Sequence, residues 1–408
     1  MHSFPFFKKN IIVSFYFLLF LWFLVGIPFL ENLNSKLYYS YFASQLLLGT
    51  LTLILLITKK INKNLIYLLF FAFIFILKDI LAQDSSGVID QINFFFGILI
   101  TYTIAKFLPI HRGNIKIIMM LNIFFLFVFL IFIKPESISF SFDSSRLFVK
   151  EVHRFAVNFI FILLAYLYAF NIRSFPSNLK HIIVLSLLAL LVISTGSRTI
   201  IYAMIFIFSS LFLEKFKPCQ NNIFRFFTTS VFVILTYVVV FYLESFFSIL
   251  ESGYLYNLLG VEHIENNFSS GREWLWTYHF ELFYNNMVFG VNSETLDWEL
   301  GDTLSNGSIA HGGGETLYSK FLAADGLLGI LKIYIYIYIV WFSLKRGNYF
   351  AYLVASFLLI ANSSLSILGN SYSLDYALYS LFFWSIFFYS DDDFKYKKKY
   401  MMNVKQIP

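Results

Sequence analysis

Apolar residues run along this chain in blocks of about 20, separated by short polar breaks, with one long polar stretch interrupting the series. A helix needs about 20 largely apolar residues to cross a bilayer, and that ruler predicts about twelve spanning helices. They fall at roughly 11–30, 38–57, 65–83, 88–106, 117–133, 155–170, 182–195, 199–213, 227–247, 317–344, 349–367 and 373–390. The seventh and eighth are short and share a tight turn, so ten or eleven spans also satisfy the pattern. The run Ile333-Tyr334-Ile335-Tyr336-Ile337-Tyr338-Ile339 alternates with the period of a strand. An open strand cannot satisfy its backbone in lipid, so a helix is predicted there as well. The polar stretch extends from Ser252 to Ala310, between the ninth and tenth blocks.

Composition agrees with the pattern. Hydrophobic residues make up 59% and charged residues 13% of the 408, and the mean hydropathy is +0.72. A water-soluble core could not hide that much apolar surface, so the expected class is an all-α polytopic integral membrane protein. No repeat or Pro- or Gly-rich linker divides the chain; one membrane domain over 1–408 is expected, with residues 251–316 inserted as a large outer loop. The segment 11–30 is too long for a signal-peptide core and lacks a small-residue cleavage site. Cys219 is the one cysteine, which excludes an internal disulfide. With the N-terminus inside, 20 of the 30 lysines and arginines fall in cytoplasmic segments. That is the positive-inside bias, and it assigns the net charge of +6 to membrane orientation and not to a nucleic-acid surface. Both termini are then cytoplasmic, and the long loop and the turn carrying Arg198 face outward.

Candidate chemistry sits in the polar stretch. Between Glu251 and Glu315 there are ten carboxylates and a single cation, Arg272. Ser270-Gly271-Arg272-Glu273 fits a capping box, with Ser270 as N-cap, which puts Arg272 in a first helical turn. Free N–H groups and the helix dipole favour an anion there, and a guanidinium adds a fork suited to phosphate oxygens. Read alone, Arg272 is equally a loop arginine paired with an acid such as Glu265. The aromatic-rich segment that follows, with Trp274 and Trp276, shows no clean stripe. Thr195-Gly196-Ser197-Arg198 reads as a helix end followed by an N-cap, so Arg198 also opens a helix; the plain alternative is an arginine snorkelling to the interface. Glu315 follows three glycines at the start of the tenth span. It is placed either to deprotonate a hydroxyl or simply to complement a helix dipole. Arg146, Lys150, His153 and Arg154 form an outer basic cluster that steers an anionic lipid head or anchors the interface. Asp297, Glu299 and Asp302 lack the pattern of a calcium loop, and no metal site or cofactor is expected.

Taken together, these pieces resemble the O-antigen polymerase and ligase superfamily. The matching elements are Thr195-Gly196-Ser197-Arg198, then Ser270-Gly271-Arg272 with Trp276, then Phe289-Gly290-Val291-Asn292. They end with Glu315-Thr316-Leu317-Tyr318 leading to Gly326-Leu327-Leu328-Gly329. The region covered is about 182–331. The ligase branch carries histidine-asparagine eleven residues before the glycine pair. Here Glu315 occupies that register and His311 lies four residues earlier, which is similar to the polymerase branch.

The resemblance implies a multi-pass enzyme of the bacterial inner membrane that polymerises undecaprenyl-diphosphate-linked oligosaccharide repeats at the periplasmic face. It implies catalytic roles for Glu315, Arg272 and Arg198, and substrate contacts from Arg198, Arg272, Arg154, Trp276 and His311. The lipid bilayer, a polysaccharide chain-length regulator and a flippase are its implied partners; nucleic acid is not. Ligase activity toward lipid A-core is one alternative. A lipid-linked oligosaccharide flippase is another, kept open by Lys78, Asp79, Glu244 and Lys332 within or beside apolar blocks.

Overall fold

The computed structural model describes residues 63–107, 152–195, 197–250, 272–291 and 317–362, with 123, 383 and 386 singly; for some helical residues it describes the backbone alone. The described part is 84% helix and contains no strand. Its helices are α1 (Lys63–Leu81), α2 (Ser85–Phe107), α3 (Val152–Ala169), α4 (Leu179–Thr195), α5 (Arg198–Leu213), α6 (Asn222–Leu250), α7 (Arg272–Asn285), α8 (Leu317–Asp325), α9 (Gly329–Lys345) and α10 (Tyr349–Ala361). The expected spans 11–30 and 38–57 lie outside the described residues, and so do 117–133 and 373–390 apart from those three single positions. Eight others coincide with described helices to within a few residues at the described ends, α8 and α9 together covering the tenth. The alternating Ile-Tyr run is helical, with Tyr338 stacked on Phe342 one turn on, ring centroids 5.7 Å apart.

By length and composition, the 28-residue helical run Tyr318–Lys345 can cross a membrane; five shorter apolar helices accompany it among the described residues. Several carry a stripe of large apolar side chains on the outside. On α4 these are Leu179, Ile183, Leu187 and Leu190; from the start of α9 they are Ile330, Tyr334, Ile337 and Trp341. Both sets repeat every three or four residues, so each occupies one helix face. On α10 every residue is buried, as expected of a helix apolar on all sides.

The chain divides into two compact units. The first holds α1 and α2, a helical hairpin turning at Gln83 (φ 58°). Asp84 caps α2, its Oδ1 accepting the Gly87 N–H at 2.8 Å. Buried Asp79 sits beside this turn, paired with Lys78 at 3.1 Å and accepting from Gln91 Nε2 at 3.0 Å. Lys78 and Asp79 therefore neutralise one another locally within this apolar hairpin.

The second unit holds α4 to α10. Here α10 packs against α5, α6 and α9, while α7 lies along α8. Tyr318 anchors α8 by donating its hydroxyl to the Leu359 carbonyl on α10, 2.7 Å away. At one end of this unit two arginine side chains converge on the start of α10. Arg173 lies over the Phe350 ring, Arg225 lies over Tyr349, and Asn348 caps α10 by accepting the Ala351 N–H at 3.1 Å.

Candidate functional site

The polar stretch yields one described helix, α7, and Arg272 is its first residue. The expected cap Ser270 lies outside the described residues, but the expected position of Arg272 in a first turn is met. Arg198 likewise opens α5 after the N-cap Ser197 (φ −76°, ψ 99°). Ser197 makes no side-chain cap bond to the helix. The turn is closed instead by the Thr195 hydroxyl, which accepts the Ser197 N–H at 3.3 Å and donates to the Val192 carbonyl at 2.7 Å. Arg154 is the third residue of α3, and Trp276 is the fifth of α7. For Arg154, Arg198, Arg272 and Trp276 the backbone alone is described; Glu315 and His311 fall outside the described residues.

Although α7 carries no clean hydrophobic stripe in sequence, it is two-sided in the structure. Tyr278 and Leu282 pack on buried Ala323 and Ala324 of α8, whereas Phe280 and Tyr284 are exposed. Between the helices lies fully buried His279, its Nδ1 2.9 Å from Ser319 Oγ. Burial, and secondarily the charge of Lys320, lowers the His279 pKa to about 4, so the ring is neutral at neutral pH.

Two glycine motifs complete the joint by meeting main chain to main chain. After α7 the backbone turns at Gly290 (φ 70°), and after α8 it turns at Gly326 (φ 61°). The Leu327 N–H donates to the Met287 carbonyl and the Val291 N–H to the Ala323 carbonyl, each at 2.8 Å. A Cβ on Gly290 would lie 2.4 Å from the Ala324 carbonyl carbon, and one on Gly326 would lie 2.6 Å from Met287 O. Only glycine permits both the positive φ and this approach. Gly329 is constrained from within the same run, since its Cβ would meet Phe321 O at 2.1 Å. The tenth block is thus two helices broken by the 3-10 turn Gly326–Leu328, where an uninterrupted span is expected from hydropathy.

The pairings fix a direction. His279 meets Ser319, and Met287 meets Leu327, so partners advance together and α7 and α8 run parallel. Their N-termini, Arg272 and Leu317, therefore share an end. With a 1.5 Å rise per residue, Arg272 lies about 10 Å beyond the His279–Ser319 level and Leu317 about 3 Å beyond it. Below this joint, buried Asp325 pairs with buried Lys332 across the break at 2.5 Å. The Lys332 ammonium also lies 4.8 Å from the Phe321 ring centre.

No family model matches this chain, and neither does any curated protein or solved structure.

Three residues of the joint escape a reading by motif. His279 is one among many aromatic positions, Ser319 sits in an apolar run, and Asp325 pairs with Lys332 only because the helix breaks between them. The seven-residue spacing of opposite charges across Gly326 and Gly329 is the sequence signal for that last pair. Among the described residues no group of three or more His, Cys, Asp or Glu side chains is placed to hold a metal ion.

Proposed function

We propose that this protein is a multi-pass glycosyltransferase of the bacterial inner membrane, of the O-antigen polymerase type. It joins undecaprenyl-diphosphate-linked repeats at the periplasmic face into O-antigen or capsule polysaccharide. The observation that carries the reading is the interlock of Phe289-Gly290-Val291 with Gly326-Leu327-Leu328-Gly329. Two short motifs of the resemblance, apart in sequence, meet and set the helices beginning at Arg272 and Leu317 parallel. Glu315 stands two residues ahead of Leu317, so this arrangement favours an acid and a cation serving one substrate.

The exposed apolar stripes of α4 and α9 support the membrane setting, since water would penalise both. The gathering of Arg173 and Arg225 at one end of the second unit suits a cytoplasmic side, with both chain termini on that side. The buried pairs Lys78–Asp79 and Lys332–Asp325 weigh against a flippase, because their charges are held in local pairs.

In the proposed reaction the acceptor hydroxyl of one repeat attacks the anomeric carbon of the growing chain. The bond from that carbon to the diphosphate oxygen breaks, and the lipid diphosphate leaves with the electron pair. Glu315 accepts the hydroxyl proton, while Arg272 and Arg198 meet the charge developing on the diphosphate. Trp276, His311 and Arg154 line the substrate's path. The arginines supply the electrostatic role that a metal would otherwise fill, and a chain-length regulator and a flippase are the proposed partners.

The test is the glycan profile of a deletion strain complemented with variants at matched abundance. Deletion should leave single repeats on the lipid core. Arg272→Lys should also leave single repeats, because a point ammonium cannot grip diphosphate in two places, with a rate loss of about 10²–10³. Glu315→Gln should retain lipid-linked donor yet polymerise about 10²–10⁴ more slowly. Bare core in the deletion strain would assign a ligase instead; repeats trapped inside would assign a flippase. Normal polymer from either variant would remove that residue from the site.

A further inference from the structure

We propose that the cleft between the C-terminal end of α5, the Lys217–Gln220 turn and the starts of α6 and α10 binds a phosphate oxyanion, supplied by an anionic phospholipid headgroup. The cleft is lined by Ser210, Glu214, Cys219, Arg225, Tyr349 and Tyr352 among others; its cavity is about 10 Å³, room for one water-sized atom, and opens to the outside. Two donors that line it lack an acceptor. Arg225 Nε is buried without a hydrogen bond, and so is the hydroxyl of Tyr349, a residue 4% exposed. A buried polar group left unpaired costs about 1–3 kcal/mol, so two such groups on one cleft point to an absent acceptor.

Glu214 does not fill that role. Both of its carboxylate oxygens take Nη2 of Arg225 at 2.6 Å. That pair cancels its own charge. Lys215, over the Phe175 ring at 5.6 Å, then leaves the region positive, and Arg173 lies over the Phe350 ring at 5.9 Å. The Phe175 N–H donates to the Leu211 carbonyl at 3.1 Å, which holds the connection bearing Arg173 against α5. Room at the base suits a single oxygen atom; a phosphate can insert one non-bridging oxygen and keep the rest near the cations. Water could satisfy the donors but would do nothing for the surplus charge.

The surroundings favour lipid as the source. Phe212, Phe216 and Ile223, on the elements that form the cleft, are among the exposed large apolar residues. A basic cleft beside exposed apolar side chains matches a headgroup above its acyl chains.

Cys219, half-exposed and lining the cleft, provides the reporter. The full chain is placed in nanodiscs of phosphatidylcholine alone, of phosphatidylcholine with phosphatidylglycerol, or of phosphatidylcholine with added inorganic phosphate. Alkylation of Cys219 by a small neutral maleimide is timed in each. Phosphatidylglycerol should slow alkylation several-fold. Tyr349→Phe removes a hydroxyl that bonds to nothing, so melting in phosphatidylcholine should be unchanged, while half-protection should need about tenfold more phosphatidylglycerol. Lys215→Gln should shift it in the same direction by less. Equal protection by inorganic phosphate would keep the site and make its ligand a soluble phosphate. Alkylation at one rate in all discs would overturn the proposal. Phosphatidylglycerol protection unchanged by Tyr349→Phe would overturn it too, since membrane surface charge alone lowers the thiolate fraction.

Discussion

Where α7 meets α8 and the start of α9, main chain touches main chain; where α5, α6 and α10 meet, side chains make the junction. In the first joint Gly290 and Gly326 bring carbonyl and amide groups into direct contact, and no side chain fits between them. In the second, Thr229 sits 3.0 Å from Ser356 and 3.2 Å from the Tyr352 hydroxyl, which donates to the Arg225 carbonyl at 3.0 Å. Arg225 then reaches Glu214. A backbone joint fixes direction and register but has no partial version. A side-chain joint loses strength one bond at a time, and it can keep a donor in reserve for something else.

The sharpest way to break that comparison is Gly326→Ala. Overpacking against Met287 O and forcing an alanine to φ 61° together cost about 2–5 kcal/mol. Loss of monodisperse protein in detergent chromatography, or a large fall in melting temperature, is expected; Gly290→Ala should behave alike. Gly347→Ala is the control, since φ is 69° there but no atom lies within 4 Å of the added carbon, and about 1 kcal/mol is expected. If all three variants melt together, close approach is not what holds the first joint.

The side-chain joint should give way by degrees. Glu214→Gln leaves the Arg225 guanidinium without its carboxylate in a site where both side chains are 14% exposed. About 1–3 kcal/mol of stability should be lost while the protein stays folded, measured by thermal unfolding in detergent. A complete loss of fold would make the two joints equivalent.

The smallest effect separates the joints by pH. His279 is neutral in the folded protein, burial lowering its pKa from the ordinary histidine value of 6.5 to about 4. Its contribution is therefore present above the unfolded pKa and declines as pH falls through that value toward the folded one, because the unfolded chain binds the proton first. Between pH 7 and 5.5 this amounts to about 1 kcal/mol. His279→Gln, compared with the unaltered protein over that window, should flatten the stability profile by that amount. An unchanged slope would place the histidine in a wetter site than the α7–α8 joint provides.

The helices themselves were legible because apolar blocks of spanning length have few other options, and the polar breaks mark their ends. The N-terminal placement of Arg198 and Arg272 was also legible, since glycine and serine before an arginine are local signals read over three or four residues. Glu315 and His311 lie outside the described residues, so their part in the site rests on sequence alone. What the hydropathy pattern hid was the break at Gly326–Leu328, because a broken helix and a straight one have the same apolar composition.

By itself, the sequence determined that the described residues are helical, where most of their helices start and stop, and which of these helices open with arginine. These follow from residue-by-residue propensities and from burial that depends only on periodicity. The tertiary structure decided that α7 and α8 run parallel, that Gly290 faces Gly326, and that His279 meets Ser319. It also decided that Asp325 and Lys332 neutralise each other and that Tyr349 and Arg225 share a cleft. Apart from Asp325 and Lys332, whose seven-residue spacing is visible in the sequence, each of these is a contact between positions whose spacing along the chain carries no period, so only the packed arrangement of helices selects them.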